Sequence, residues 1–518
     1  MKNVFKYGED SLTIGIALDI ARGKTKGIIG ESARQHIEKT FNDIYYIVEK
    51  GDPVYGINTG FGILCSTTIS KEETAKLQYN ILKSHSCGVG EPIDPIIAKL
   101  MMIVKVNSLA LGYSGVSLDT LERIMWHIDN DLIPVVPSKG SVGASGDLVP
   151  LAHLFLPLIG LGSVFYEGKV YKGAEILSKF NKKPLHLHPK EGLALINGTQ
   201  FMSALGVYGI ERFHTCLENA DIIAAMSIET IKGSVKPFEE ALHKLRPYKG
   251  NIYVAKRISS FLRGSEILQS HVHCKKVQDP YSTRCVPQVH GASRNSFLHF
   301  KEILNIELNS VTDNPVIIDR DNVIAGGNFH GEPIALPADY AALAASEIGN
   351  ISDRRSYLLL GGDDEDLPKM LIKNSGLNSG FMIFQYTSAA LASENKSLCF
   401  PASADSIPTC LGQEDHVSMG SISMRKFNAI LDNLENILAI EMILATQGLD
   451  LRRPLKSSPV IEGCHDFIRD YIQITQEDRV FSEDIEKGRK IVSDGKLIDI
   501  VNSQCKIEEE YAAMFGLY

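Results

Sequence analysis

The spacing of apolar residues in the second half of the chain constrains the fold more than any other feature of this sequence. Within 427–438, apolar side chains recur every three or four positions while polar residues fill the opposite face. Similar spacing runs through 213–231 and 340–360. This periodicity is typical of long helices that bury one face, and it predicts a helix bundle. Gly448 is the expected C-terminal stop of the first of these helices.

Patterns typical of β-strands are few. Only the segments 54–59, 163–170 and 316–323 combine β-favouring residues with flanking Gly or Asp turns. The sequence contains no internal repeat and no linker rich in Pro, Gly or Ser. We therefore predict an all-α, mainly helical fold, with a long central helix bundle and a small mixed N-terminal part, built as one unit over 1–518. Its approximate sub-regions are 1–110 with active-site loops, the central bundle 111–450 and a C-terminal helical region 451–518.

Charge, hydropathy and cysteine usage narrow the class of partner. The net charge of -9, without a concentrated basic patch, argues against a nucleic-acid surface. The most apolar stretch, 148–165, is interrupted by His153 and Pro157 and is short for a membrane span, so we expect a buried helix there. Nine scattered cysteines without a Cys-x-x-Cys pair fit a reducing compartment, and the N-terminus lacks the apolar core of a signal peptide. These features predict a cytoplasmic protein that acts on a small molecule, with no membrane partner.

Two short segments carry residue types that bind metals. His271, His273 and Cys274 lie close together, but their spacing matches no common ligand pattern. The acidic run 363–366 follows two glycines, as solvated loops often do. We expect no metal site at either segment.

The segment 140–148, Gly-Ser-Val-Gly-Ala-Ser-Gly-Asp-Leu, is the most informative local motif. It surrounds Ser145 with small residues, which let the backbone adopt turns that bulkier side chains forbid. Taken alone, the tripeptide Ala144-Ser145-Gly146 equally fits a tight helix-entry turn capped by Ser145 or Asp147.

Further motifs favour a functional interpretation of Ala144-Ser145-Gly146 over a simple turn. In chain order they are the segments 55–62, 197–199, 278–284, 309–315, 327–331 and 413–419. Together with 140–148, they resemble the aromatic amino-acid ammonia-lyases and aminomutases over nearly the whole chain and in the same order. The non-enzymatic alternative is a helical scaffold that keeps these motifs without activity.

The resemblance implies that Ala144, Ser145 and Gly146 cyclise to 4-methylidene-imidazol-5-one without a metal or dissociable cofactor. In that family the nitrogen of the Gly attacks the carbonyl carbon of the Ala, and two waters are lost. This requires a strained loop that holds the reacting atoms together. The product offers an electrophilic carbon that no ordinary side chain supplies.

The resemblance also assigns roles to other residues. Arg284 offers a planar fork that can grip a substrate carboxylate with two hydrogen bonds. The base that removes the β-proton stays open, because a phenol serves as a base only if its pKa is lowered. The candidate bases are Tyr55, Tyr281 and Glu414, and the expected substrate-binding residues are His85, Asn197, Gln278, Arg284 and Phe329, with Phe329 as a wall of the aromatic pocket.

The substrate-facing residues resemble the branch of the family that acts on histidine. Ser84-His85 matches that branch, and so does Glu414 within Glu414-Asp415-His416. An imidazole carries a donor and an acceptor nitrogen, so a histidine and a carboxylate can pair with it. The resemblance implies elimination of ammonia from L-histidine to trans-urocanate by a homotetramer with shared active sites. The alternative is a tyrosine or phenylalanine ammonia-lyase or an aminomutase of the same family.

Overall fold

We describe the fold from a computed structural model, which covers residues 3–271, 277–363, 367–506 and 508–518. Residues 272–274 and 364–366, which hold most of the two segments considered for metal binding, lie outside these ranges. None of the described helices combines the length and the apolar character that crossing a bilayer requires.

Four small sheets lie at the edges of the helical body. Their strands are β1 (Asn3–Tyr7), β2 (Thr25–Ile29), β3 (Val89–Pro92), β4 (Ile133–Pro134), β5 (Pro137–Lys139), β6 (Ser163–Tyr166), β7 (Lys169–Lys172), β8 (Val316–Asp319) and β9 (Asn322–Ile324). Strands β1 and β2 pair in parallel, with Phe5 opposite Gly27. The order β4-β6-β7 forms an antiparallel sheet, and β3-β5 and β8-β9 form antiparallel pairs. The strands predicted within 163–170 and 316–323 are therefore confirmed, each as a hairpin.

The strand predicted at 54–59 is wrong. Residues 55–57 form a turn, and only Thr59 joins a β-bridge, to Thr68. The side chain of Asn58 explains the difference, because it accepts from the Val54 N–H at 2.7 Å and donates to the Asp52 carbonyl at 2.9 Å. Such local side-chain to backbone bonds favour a turn over an extended strand.

The first part of the chain forms helices of 6 to 20 residues. They are α1 (Ile14–Ala21), α2 (Glu31–Lys50), α3 (Thr74–His85), α4 (Pro95–Ala110), α5 (Leu118–Asp129), α6 (Leu148–Phe155), α7 (Gly173–Lys179) and α8 (Glu191–Ile196). Helix α4 begins with Pro95, and the Asp94 side chain accepts from the Ile96 N–H at 2.9 Å, a cap favoured at helix starts.

The single buried helix predicted over 148–165 is only half correct. Helix α6 ends at Phe155, a 3-10 turn follows over Leu156–Ile159, and the chain then enters β6. Pro157 and Gly160 account for the break, because Pro157 has no N–H to donate and Gly160 adopts a left-handed φ of 78°.

The central part is a bundle of long helices, as the periodicity predicts. Its helices are α9 (Gln200–Thr230), α10 (Glu240–Lys244), α11 (Lys249–Phe261), α12 (Glu266–Gln269), α13 (Tyr281–Arg284), α14 (Val286–Leu308), α15 (Glu332–Leu360), α16 (Met382–Leu398) and α17 (Gly420–Leu451). Helices α9, α14, α15 and α17 pack against one another, and α4 packs against α9. The C-terminal helices are α18 (Pro459–Tyr471), α19 (Ser482–Ser493), α20 (Lys496–Gln504) and α21 (Glu509–Phe515). The predicted all-α class is confirmed.

Gly448 does not end its helix, contrary to the sequence prediction. Helix α17 continues to Leu451, and a Cβ at Gly448 would lie 2.2 Å from Cγ2 of Thr230 on α9. The glycine therefore permits close packing of two helices, a tertiary role that looks like a stop signal in the sequence.

Candidate active site

The segment 140–148 joins β5 to α6 in an unusual backbone conformation. Gly143, Ser145 and Gly146 all adopt left-handed φ angles, of 85°, 51° and 81°. Such angles cost glycine little but are strained for serine. The Gly146 N–H donates to the Gly143 carbonyl at 3.3 Å, which closes a tight turn around Ala144 and Ser145. Sequence reasoning expected a strained loop here, and the backbone angles agree.

The residue after Asn197 clamps this loop by its backbone. The Gly198 N–H donates to the Ser145 carbonyl at 3.1 Å, and the Asp147 N–H donates to the Gly198 carbonyl at 2.8 Å. A Cβ at Gly146 would lie 2.1 Å from the Gly198 oxygen, so only glycine fits at Gly146. The two segments thus lie side by side through a short parallel bridge.

The start of α17 holds the opposite side of the loop. The Met419 N–H donates to the Val142 carbonyl at 3.0 Å, and the Ser421 hydroxyl donates to the Ser141 carbonyl at 2.7 Å. A Cβ at Gly143 would lie 2.2 Å from Oγ of Ser418. The loop is therefore fixed between two segments that are far apart in sequence.

Two buried ionisable groups near the loop, Asp147 and Lys105, were not predicted from the sequence as part of the site. Asp147 accepts from the Met202 N–H at 2.9 Å and from the Ser141 hydroxyl at 3.1 Å, and burial raises the pKa of its carboxyl to about 7. Burial also lowers the pKa of Lys105 to about 7. The one available sequence signal was a lysine inside the apolar run that forms α4. Asp147 follows the tripeptide directly, but its carboxylate contacts α9 and Ser141 and makes no capping bond to α6.

The predicted residues Tyr55, His85 and Glu414 lie near one another. Burial raises the pKa of Tyr55 and lowers that of His85, and the Glu414 carboxylate raises both. The Tyr55 hydroxyl accepts from the Gly62 N–H at 3.4 Å, and the Thr409 hydroxyl donates to Oε2 of Glu414 at 2.7 Å. The Glu414 carboxylate is therefore close enough to Tyr55 and to His85 to raise the pKa of each.

This group adjoins the Ser145 loop through backbone packing. Gly88, which follows α3 and its terminal His85, packs against Gly140, where an added Cβ would lie 3.3 Å from the Gly88 Cα. The segment 409–419 carries Glu414 and ends at Met419, which bonds the loop. One polar region therefore combines Ser145 with His85 and Glu414.

Asn197 and the Phe329 segment also lie at this end. Asn197 is buried at the end of α8, and its Oδ1 has no hydrogen-bond partner among the described residues. Phe329 is half-buried, two residues before Gly331, which packs against Met202 and Ser418. An unpartnered buried amide oxygen indicates space for a donor group beside the loop.

The remaining predicted residues, Gln278, Tyr281 and Arg284, form a second group. Tyr281 is 71% exposed, and the Arg284 guanidinium carbon lies 4.5 Å from the centroid of its ring. Nε of Arg284 donates to the Asp279 carbonyl at 2.9 Å. Gln278 is also exposed.

A single chain places this second group far from Ser145. Nη1 of Arg355 donates to the Ser282 carbonyl at 3.4 Å, and its guanidinium pairs with Glu441, which accepts from the Ser227 hydroxyl at 2.6 Å. Ser227 lies near the C-terminal end of α9, whereas Met202, which bonds Asp147, lies near its start. At about 1.5 Å per residue, Met202 and Ser227 are about 37 Å apart along α9.

Comparison with known proteins gives one consistent result. A family model described as aromatic amino acid lyase matches residues 12–470. The chain is 42% identical to a histidine ammonia-lyase of Caldanaerobacter subterraneus over 97% of this chain and 99% of that protein. It is 46% identical to a histidine ammonia-lyase of Vibrio cholerae over 86% of this chain and 88% of that protein.

Two solved structures of similar fold superpose on nearly the whole chain. A histidine ammonia-lyase from Trypanosoma cruzi superposes with a TM-score of 0.90 at 39% identity and covers 99% of this chain and 97% of that chain. A tyrosine aminomutase from Streptomyces globisporus superposes with a TM-score of 0.91 at 32% identity, over 98% of this chain and 100% of that chain.

Proposed function

Because the chain belongs to the aromatic amino acid lyase family, we propose that it is a carbon-nitrogen lyase that eliminates ammonia from L-histidine and releases trans-urocanate. The observation that supports this choice of substrate is that the Glu414 carboxylate raises the pKa of His85, the last residue of the helix that leads to the Ser145 loop. Relatives named histidine ammonia-lyase match nearly the full chain, which supports the same choice.

The electrophile in this proposal forms from Ala144, Ser145 and Gly146. The Gly146 nitrogen bonds to the Ala144 carbonyl carbon, whose oxygen leaves as one water with the amide protons of Gly146 and Ser145, and a double bond forms between the Ser145 nitrogen and that carbon. A second water takes the Cα proton and the Cβ hydroxyl of Ser145. The left-handed angles at Ser145 and Gly146 and the close approach of Gly198 fit such a ring. Once formed, 4-methylidene-imidazol-5-one supplies an electrophilic carbon for the departure of the amino group.

The side chains bind the substrate and move the proton. Arg284 holds the carboxylate in a two-point grip, and the unpartnered Oδ1 of Asn197 accepts a donor beside the loop. His85 and Glu414 pair with the imidazole, while Phe329 and Gln278 complete the binding surface. The candidate bases for the β-proton are Tyr281, Tyr55 and Glu414, and the raised pKa of Tyr55 makes its phenolate less available than that of an ordinary tyrosine.

The distance between the two residue groups supports a shared site. The segment of Arg284 is linked to the end of α9 that lies about 37 Å from the loop of its own chain, so Arg284 of another copy must complete each site. One face of α15 exposes apolar side chains at helical spacing, Leu336, Tyr340 and Leu343, which fit a subunit interface. We propose a homotetramer in which each active site combines residues of different copies of the chain.

The cytoplasm is the compartment that fits this proposal best. All eight cysteines in the described ranges are free thiols, which is typical of proteins in reducing surroundings.

Steady-state assays test the proposed reaction. Urocanate should form from L-histidine, whereas coumarate from tyrosine and cinnamate from phenylalanine should be scarcely detectable. Efficient turnover of tyrosine or phenylalanine, or formation of a β-amino acid, would assign the chain to the alternative branches instead.

The substitution Ser145→Ala tests the electrophile. The intact mass of the wild type should be lower than the mass calculated from its sequence by two waters. The variant should have the mass calculated from its own sequence and no activity. Because alanine accepts the same backbone space, its melting temperature should stay within a few degrees of the wild type. An active wild type at full sequence mass would rule out this chemistry.

A further inference from the structure

Lys105 is a buried cation in an apolar helix. It lies on α4 among residues such as Val104 and Val106, and 1% of its surface is exposed. Its Nζ donates to the Asn197 carbonyl at 2.5 Å, and no carboxylate within the described ranges forms an ion pair with it. Burying an ammonium group without a direct counter-ion is costly, so its retention calls for a specific use.

The carbonyl that Lys105 contacts belongs to the peptide unit that clamps the Ser145 loop. The Asn197 C=O and the Gly198 N–H are parts of one planar peptide and point in opposite directions. Lys105 therefore lies at the carbonyl end of this unit, and the Ser145 carbonyl accepts from its N–H end at 3.1 Å. A cation at the carbonyl oxygen withdraws electrons from the peptide and makes its N–H a stronger donor.

The Ser145 carbonyl is the group that needs this donor during maturation, which is the cyclisation of Ala144-Ser145-Gly146 with loss of two waters. Loss of water from Ser145 breaks its Cα–H and Cβ–O bonds and forms a Cα=Cβ double bond. When the Cα proton leaves, negative charge develops on the adjacent carbonyl oxygen. Donors placed at such an oxygen before the reaction stabilise this charge.

We propose that Lys105 is a positioning residue for maturation, which acts through the Asn197–Gly198 peptide to hold and polarise the Ser145 carbonyl while Ser145 loses water. This inference rests on the proposed cyclisation of Ala144-Ser145-Gly146. Several groups set the pKa of Lys105: burial lowers it to about 7, the Asp313 and Asp147 carboxylates raise it, and Lys190, itself paired with Asp313 at 2.6 Å, lowers it.

The test follows the mass of newly made chains. Full-length wild type, Lys105→Met and Lys99→Met are produced by cell-free synthesis, and intact mass is recorded over time. Lys105→Met keeps the length of the side chain and removes the charge, so loss of the two waters should slow by about tenfold or more. Lys99 lies on the same helix, pairs with Asp131 and does not contact Asn197, so its variant should mature at the wild-type rate.

Thermal melting separates this role from a structural one. Burying a charge without an ion-pair partner costs stability, so Lys105→Met should melt at or above the wild-type temperature although it loses the two waters more slowly. Lys105→Gln, which keeps a neutral donor, gives a second variant if Lys105→Met does not fold, and it should also mature slowly.

The possible outcomes are distinct. Wild type that stays at the full sequence mass would contradict the proposed cyclisation itself. Wild type that loses two waters, together with a folded Lys105→Met or Lys105→Gln that matures equally fast, would overturn the role of Lys105 and leave the cyclisation intact.

Discussion

At the scale of residues, the site depends on strained backbone held by distant partners. Ser145 adopts a left-handed φ of 51°, a conformation that costs an ordinary residue about 1–2 kcal/mol. Hydrogen bonds from Gly198 to Ser145 and from Met419 to Val142 offset that cost by fixing the loop from both sides. The strain is localised where the reacting atoms must approach, as is typical of functional sites.

His85 and Glu414 give a prediction about substrate choice. A site built to hydrogen-bond an imidazole leaves its polar groups unpaired when the ring is a phenyl, a penalty that can reach about 10⁴–10⁵ in kcat/KM. His85→Phe and Glu414→Gln should each sharply reduce histidine turnover, and the double variant should lose less than the sum of both effects because they act on one ring. Steady-state kinetics on histidine and phenylalanine measure this.

The charge of Glu414 adds an independent check on the same pair. Its carboxylate raises the pKa of His85, which burial lowers below the usual 6.5. Glu414→Gln should therefore lower the pKa of His85 further, as followed by NMR titration of the imidazole. Full histidine turnover in His85→Phe, or an unchanged His85 titration in Glu414→Gln, would show that the two residues do not act as a pair.

At the scale of elements, close contacts and caps decide how helices end and pack. His127 lies near the C-terminal end of α5, where its Nδ1 is 3.0 Å from the Leu132 carbonyl. Gly448 fits against Thr230, whose hydroxyl lies within hydrogen-bond distance of both the Met226 and Ala445 carbonyls, which holds its side chain in place. In both cases a residue near the end of a helix contacts a residue outside that helix.

His127 predicts an acid-sensitive contribution to stability. Burial lowers its pKa from 6.5 to about 4, so below pH 6.5 the unfolded chain binds a proton that the folded chain does not. The free energy of unfolding should therefore fall as the pH drops from 6.5 to 4, by roughly 3 kcal/mol from this group. Denaturant unfolding of His127→Leu should show a weaker pH dependence in this window, whereas His186→Leu, at an exposed position, should retain the wild-type slope.

Gly448→Ala tests the packing of α17 on α9. The added Cβ would lie 2.2 Å from the fixed Thr230 side chain, and overpacking of this kind costs about 1–3 kcal/mol. Gly326→Ala is the control, because a Cβ there meets nothing within 4 Å. If Gly448 had room for a Cβ inside α17, alanine would stabilise the helix through its higher helix propensity, so a rise in melting temperature would contradict the close contact with Thr230.

At the scale of the whole molecule, the bundle separates residues that must act together. Helix α9 holds Asp147 near one end and, through Glu441 and Arg355, the segment of Arg284 near the other. The buried charges in between are paired; Asp221, for example, contacts Arg257 at 3.0 Å and Arg294 at 2.6 Å. Such pairing keeps the long helices in one arrangement, so the two residue groups cannot meet by bending within a single chain.

Mixed assemblies test the shared site. Ser145→Ala and Arg284→Ala should each be inactive alone, but co-expression should restore activity, because some sites then combine an intact loop from one chain with an intact Arg284 from another. With random mixing of equal amounts, roughly a quarter of the sites are complete. Persistent inactivity of well-mixed, folded assemblies would place both residues of a site in the same chain.

The sequence alone determined the features that depend on neighbours along the chain. Apolar spacing within 427–438 predicted a helix because a side chain and its partners three or four positions away share a face. The small residues around Ser145 and the motif of Arg284 identified the family. Signals of this kind are local, and they were enough for the fold class and for the candidate residues.

Only the tertiary structure decided what those residues contact. The clamp of Gly198 on Ser145, the bond from Lys105 to Asn197 and the fit of Gly448 against Thr230 join residues far apart in sequence. No periodicity or propensity encodes such pairs, because they arise when whole helices pack. The same packing links the segment of Arg284 to the end of α9 that lies about 37 Å from the loop of its own chain, a separation that depends on the length and rigidity of one helix.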